Sequence, residues 1–216
     1  METEVRIPAG TATIEGDLRV PKDARGIVLF VHGSGSSRHS PRNQFVAHTL
    51  NDAGLATLLF DLLTSEEEAK DPRLRFDIGL LAIRLSFATD WASQEPATCN
   101  LRIGYFGAST GGGAAMLTAA ERPEAVSAIV SRGGRPDLAG AALRAVRAPT
   151  LLIVGDADEA VIGMNREAMA SMQCEMKLEL VSGATHLFEE PGALEQVAQL
   201  ASEWFRRHLS AANHST

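Results

Sequence analysis

Six short runs of the chain are apolar almost without interruption. They are "GIVLFVHG" (26–33), "LATLLFD" (55–61), "LRIGYFG" (101–107), "VSAIVSRGG" (126–134), "APTLLIVGD" (148–156) and "MKLELVSG" (176–183). Runs of this length, bounded by glycine, proline or aspartate, suit parallel strands covered on both faces. Between them the apolar positions recur at helical spacing. This predicts helices over 45–53, 76–91, 114–121, 166–172 and 194–208, with Asp77 as a first-turn acid of the second. The opening segments "VRIP" (5–8) and "ATIEGDLRVP" (12–21) alternate apolar and polar residues, as an antiparallel edge hairpin does. Strand and helix then alternate to the end, which predicts an α/β fold with a doubly wound, mostly parallel sheet. Residues 1–216 are expected to form one domain, with 210–216 as a flexible tail.

In such sheets, sites form beyond the carboxyl ends of the strands. The polar, glycine-rich residues of this chain fall there: "HGSG" (32–35), Asp61, Ser109, Arg132-Gly133, "DAD" (156–158) and His186. Composition narrows the chemistry further. The 216 residues are 45% hydrophobic, the formal net charge is −7 and the sequence pI is about 5.4. That balance argues against nucleic acid or an anionic membrane as partner. The two cysteines, Cys99 and Cys174, form no CxxC pair and have no metal-ligand spacing. They read as reduced, partly buried thiols in a cytoplasmic protein, with neither metal nor cofactor expected. The N-terminus "METEVRIPAG" lacks a signal-peptide pattern, and no apolar run is long enough to span a membrane. The acidic stretch Ser65–Glu68 reads as a solvated loop or helix end.

"IGYFGASTGGGAAM" (103–116) poses the sharpest question, because three glycines stand where a helix should begin. Each costs about 1 kcal/mol relative to alanine in a helix interior. Gly107-Ala108-Ser109-Thr110-Gly111 matches G-x-S-x-G between a strand and a helix, the context of a nucleophile elbow. A sharp turn there leaves no room for side chains two residues either side of the serine. The expectation is that Gly112 and Gly113 extend that close packing, with the helix N-terminal donors facing Ser109.

A hydroxyl needs a base. His186, in "SGATHLFEEPG" after the last strand, is the candidate, and His32 reads as a structural residue at a strand end. The orienting acid should follow "TLLIVG". Asp158 is favoured over Asp156, which is then expected to cap the next helix. Oxyanion donors are expected at the N–H of Thr110 and of Ser34, with Gly35 as the alternative to Ser34.

These motifs together resemble the α/β-hydrolase superfamily, and more narrowly the small dienelactone hydrolase-like proteins. The resemblance runs from about residue 20 to the end and rests on "VHGSGSS", "GYFGASTGGG", "LLIVGDADEAV" and "GATHLFEEPG". It implies Ser109 as nucleophile, Asp158 as acid, His186 as base, and Ser34 and Thr110 as oxyanion donors. The enzyme that names the family uses a cysteine nucleophile. Serine at position 109 therefore implies a general serine esterase acting on a small ester, lactone or thioester. No cap-domain insertion stands between 131 and 149, so an open site is expected. Arg42, Asn43, Arg132 and Arg135 fall near the same edge and could bind an acidic substrate group, with Arg42 and Arg135 the candidates taken, although all four equally suit loop bracing by hydrogen bonds to carbonyls. A monomer or small homo-oligomer is expected. The competing class is a binding module. A dinucleotide loop fails because Arg38 occupies the third glycine position of "GSGSSR". A non-catalytic scaffold on a hydrolase fold is the other alternative.

Overall fold

The structure, a computed structural model, describes residues 2–210. All but the first residue of the tail expected at 210–216 therefore lies outside the described residues. One eight-stranded sheet runs through the molecule in the order β1-β2-β4-β3-β5-β6-β7-β8. β1 (Glu2–Ala9) and β2 (Ala12–Arg19) form the expected antiparallel hairpin, and β2 pairs antiparallel with β4 (Ala56–Phe60). β3 (Ile27–Val31), β4, β5 (Ile103–Ala108), β6 (Ala128–Arg132), β7 (Thr150–Gly155) and β8 (Met176–Val181) are mutually parallel. Every residue of β3 through β7 is buried, whereas the edge strand β8 is mostly not. Burying one such side chain contributes about 1.5–3 kcal/mol, so these five strands form a stiff base for the loops above them.

Helices cover both faces. α1 (Pro41–Asp52) and α6 (Ala193–Leu209) close a core with Phe30, Phe106, Val130 and Ile153. α3 (Ile78–Gln94), α4 (Thr110–Glu121) and α5 (Glu159–Ser171) pack on the other face around Leu29, Tyr105 and Ile129. Trp204 is buried in the first of these cores. The chain leaves β3 to one side for β4 and returns to the other for β5. This switch point lies at the carboxyl ends of β3 and β5, and Ser109 stands directly beyond it.

Local chemistry sets the ends. Ser40 Oγ accepts the Asn43 N–H at 3.5 Å and Pro41 opens α1. Asp77 is the cap of α3 rather than a residue within its first turn, accepting the Leu80 N–H at 3.0 Å. The acidic stretch is a short helix, α2 (Ser65–Lys70), with a reciprocal capping box between Thr64 and Glu67. Glu67 is not merely solvated, because it also pairs with the buried Arg84. The connection from β6 to β7 carries only a 3-10 segment, Pro136–Ala145, so among the described residues no cap domain is inserted there. Among the described residues no helix is long and apolar enough to cross a membrane. Both cysteines are free; Cys174 is half-buried, but Cys99 is exposed, contrary to expectation.

Candidate active site

Ser109 adopts φ 50° and ψ −122°, a conformation that costs a non-glycine residue about 1–3 kcal/mol. The surroundings hold it there. Its N–H donates to the Arg132 carbonyl at 3.3 Å, and its own carbonyl accepts the Arg135 N–H at 3.0 Å. The glycines permit the approach this requires. A Cβ on Gly111 would lie 2.0 Å from the Val31 carbonyl oxygen, and one on Gly107 would lie 2.7 Å from Gly112 Cα. Gly112 and Gly113 crowd β6 and the segment after it: their Cβ atoms would meet Ser131 Oγ at 2.7 Å and the Arg135 carbonyl oxygen at 2.8 Å. All three glycines of α4 are thus sites of close approach, and packing overrides their poor helix propensity. Thr110 is the first residue of α4, so its N–H has no intrahelical partner.

His186 follows β8 and Asp158 follows β7. His186 Nδ1 and Asp158 Oδ2 lie 2.7 Å apart, with the carboxylate largely shielded and the imidazole half-buried. That contact fixes the tautomer: Nδ1 carries the hydrogen donated to the carboxylate, and the Nε2 lone pair is left free. Asp156 does something else. Its Oδ1 accepts the Gly183 N–H at 2.7 Å, bracing the loop after β7 against the loop after β8, and it caps no helix. The residue at the cap position of α5 is Asp158 itself, with no side-chain capping bond.

Ser109 and His186 line one cavity of about 260 Å³, together with Ser34, Ser40, Arg42, Arg132 and Leu187. No hydrogen bond joins Ser109 to His186 among the described residues, an arrangement common before substrate binds. The Ser34 N–H donates to Thr110 Oγ1 at 2.9 Å, which ties the loop after β3 to the elbow. Gly35 is exposed at φ 70°, the third residue of a turn closed by the Ser36 N–H on the Gly33 carbonyl. The two arginines named from sequence part company. Arg42 lines the cavity, and its Nη1 lies 3.2 Å from Glu189 Oε1. Arg135 forks onto Asp137, with Nε and Nη2 contacts of 2.9 and 2.7 Å, and does not line the cavity.

His32 is 8% exposed and structural. Its Nε2 accepts the Leu62 N–H at 3.1 Å, and Nδ1 reaches the Gly33 carbonyl at 3.0 Å. Burial pushes its pKa below the ordinary histidine value. Among the described residues no cluster of three or more histidine, cysteine or acidic side chains is disposed to hold a metal. Arg132, which the sequence left open between binding an acidic group and bracing loops, lines the Ser109 cavity.

The model of the dienelactone hydrolase family matches residues 14–214. A dienelactone hydrolase from Anabaena variabilis is 61% identical, with a TM-score of 0.95 over 97% of this chain and 98% of that one. An esterase from Pyrococcus furiosus shares the fold at 16% identity and a TM-score of 0.79, over 97% of this chain and 94% of that one. A protein of Mycobacterium tuberculosis that bears the provisional name phosphoribosyl transferase is 57% identical over 208 residues. Those residues are 96% of this chain and 47% of that protein, so the chain spans about half the length of the curated relatives it matches.

Proposed function

The chain belongs to the dienelactone hydrolase family, and from that premise we propose that it is a serine hydrolase that cleaves small carboxylic esters through an acyl-enzyme on Ser109. One observation carries the reading. His186, held by Asp158 at 2.7 Å with Nε2 free, shares a cavity with a serine on a strained strand-to-helix turn.

The steps follow from these groups. Substrate enters with its carbonyl carbon against Ser109 Oγ. Nε2 of His186 takes the hydroxyl proton as the C–O bond forms, and Asp158 stabilises the resulting imidazolium. The oxyanion is met by the free N–H of Thr110; the Ser34 N–H, expected from the sequence to be the second donor, is instead donated to Thr110 Oγ1 and holds the loop after β3 against the elbow. Such a donor to the oxyanion contributes about 2.7–4 kcal/mol to the transition state. His186 then returns its proton to the departing alkoxide, the alcohol leaves, and the same groups activate water to release the acid. The cavity is small and, among the described residues, no cap domain is inserted after β6, so short acyl groups suit it and discrimination among them is weak.

The transferase name of the mycobacterial relatives belongs to proteins about twice as long as this chain. Phosphoribosyl transfer on this chain would leave the elbow and the Asp158–His186 pair without a task. A panel of p-nitrophenyl esters from acetate to decanoate tests the reading. Turnover of the short esters by the native protein and none by Ser109→Ala supports it. Equal residual rates in the two proteins contradict it.

A further inference from the structure

The helix that presents Asp158 carries a buried amide that the reaction steps leave unused. Asn165 lies in the middle of α5 and is completely buried. Asparagine is a poor fit to such a place, because it is a weak helix former and a buried amide needs partners for both its donors and its acceptor. Here only the donors are satisfied. Nδ2 donates to the Val161 carbonyl one turn back at 2.8 Å and to the Gly134 carbonyl at 3.0 Å, whereas Oδ1 is buried with no hydrogen-bond partner. An apolar side chain would bring no orphaned oxygen. What the amide adds is the bond that leaves the helix, to Gly134.

That bond lands on the segment that grips the nucleophile. Residues 132–135 hold both backbone polar groups of Ser109: the Arg132 carbonyl accepts its N–H at 3.3 Å, and the Arg135 N–H donates to its carbonyl at 3.0 Å. Gly133 anchors the same segment to β7, donating to the Ile153 carbonyl at 2.7 Å. Gly134 is wedged between these, since a Cβ there would lie 1.8 Å from Ser131 Oγ. A Cβ on Gly133 would lie 3.1 Å from the His186 carbonyl oxygen, so the segment also abuts the loop of the base.

Asp158 stands at the other end of the same arm. It is the N-cap of α5, and its carbonyl accepts the Ile162 N–H at 3.0 Å. Asn165 follows two turns later, about 10.5 Å along the axis at 1.5 Å per residue. Ser109 and His186 line one cavity with no hydrogen bond between them among the described residues, so their contact has to form on the way to the transition state. A misplacement of about 1 Å there can cost about a hundredfold in rate.

We propose that Asn165 is a positioning residue for the hydrolysis: through Gly134 its amide fixes the helix of Asp158 to the backbone that holds Ser109 in its strained conformation, and so sets the approach of His186 to Ser109. Its effect on rate rests on the hydrolase reading above; the tie from α5 to residues 132–135 does not.

Asn165→Ser and the bulkier Asn165→Thr test this. Their hydroxyls can still bond the Val161 carbonyl within the helix, as Thr118 Oγ1 bonds the Ala114 carbonyl, but they are too short to reach Gly134. Ala168→Gly, at another buried position of α5, is the comparator, because it weakens the helix and leaves the amide in place. With p-nitrophenyl acetate, well below the Tm of each protein, the Asn165 variants should lose about tenfold or more in kcat with KM within about twofold of native. Ala168→Gly should lower Tm and leave kcat within about twofold. Amide hydrogen exchange, followed by NMR in the same proteins, reads the tie without turnover. The amides of Ser109 and Arg135 should exchange about tenfold faster in the Asn165 variants, while those of Leu58 and Leu59 in β4 should not change. An unchanged kcat with a lowered Tm overturns the proposal, and so does an equal loss of kcat in Ala168→Gly, which would make the effect one of helix stability. If the native protein cleaves no ester, the hydrolase reading fails on that result and the exchange rates decide the tie by themselves: unchanged exchange at Ser109 and Arg135 overturns it.

Discussion

Two aspartates stand two residues apart after β7, and the structure gives them different tasks. Asp158→Asn keeps the size of the side chain but presents an amide to His186 Nδ1 across the 2.7 Å contact. Turned one way, the amide N–H₂ faces Nδ1 and favours the tautomer with its hydrogen on Nε2, which cannot take the proton of Ser109. Turned the other way, the tautomer survives but the imidazolium loses its anionic partner. In a serine–histidine–aspartate triad the corresponding loss is about 10⁴-fold in kcat, or about 5.5 kcal/mol at 1.36 kcal/mol per decade. Asp158 is half-buried and makes no capping bond to α5, so the fold should change by under about 1 kcal/mol. Asp156→Asn gives the converse pattern. It retains an oxygen that can accept the Gly183 N–H, a bond made at an exposed position. A net loss of about 0.5–1.5 kcal/mol in stability is the ceiling, and kcat should fall by less than about fivefold. Steady-state hydrolysis of p-nitrophenyl acetate gives kcat, and thermal unfolding of the same samples gives stability. A larger fall in kcat for Asp156→Asn than for Asp158→Asn would refute the assignment, and so would an Asp158→Asn effect explained by lost folded protein.

Two further outcomes follow from contacts near the elbow. Thr110→Val removes the acceptor of the Ser34 N–H while keeping the branched shape, so thermal unfolding should show a loss of about 0.5–1.5 kcal/mol in stability, and Thr110→Ser should restore it; equal stability in the valine and native proteins would show that this bond does not hold the loop after β3. His32 is held neutral by burial, so its folded pKa lies below the unfolded value of about 6.5. Below about pH 6.5 the unfolded chain takes up a proton that the folded protein resists. Its contribution is therefore fully present above that pH and declines as pH falls, at up to about 1.4 kcal/mol per pH unit. Urea unfolding between pH 8 and 5 should show this slope in the native protein and a shallower one in His32→Gln; identical slopes would contradict it.

Much of the fold is legible in the sequence because burial on both faces leaves an uninterrupted apolar run, as at "IVLFV" and "TLLIVG". Helix starts are less legible, for separable reasons. α1 begins four residues before Phe45 because its first turn, Pro41 to Gln44, is polar and stands at the rim; the Ser40-Pro41 cap was the available signal. α4 begins at Thr110 because glycine there answers to the Val31 carbonyl, not to helix propensity. α5 begins seven residues before Arg166, through a stretch containing Val161, Ile162 and Gly163, all weak helix formers. At the site, motifs pointed to Ser109, Asp158 and His186, of which the structure pairs Asp158 with His186 and puts His186 and Ser109 on one cavity. The surroundings of Arg132 were not legible in this way. That it meets an amide and an aromatic ring, and no carboxylate among the described residues, depends on what α1 and Phe188 bring to it from distant parts of the chain, and no local pattern records an absence. Asp156 shows the same limit, since Gly183 lies on the next loop.

The central claim is that Ser109 is the one activated hydroxyl of this protein, and covalent labelling addresses it most directly. A fluorophosphonate is attacked by a serine whose proton a neighbouring base removes, and the adduct stays on the oxygen that attacked. Tryptic digestion and mass spectrometry of the labelled native protein should find one adduct, on the peptide spanning Ile103 to Arg132 and localised to Ser109. Labelling should fall by orders of magnitude in His186→Ala. An adduct on any other residue, or a Ser109 adduct that forms equally fast without His186, would contradict the account.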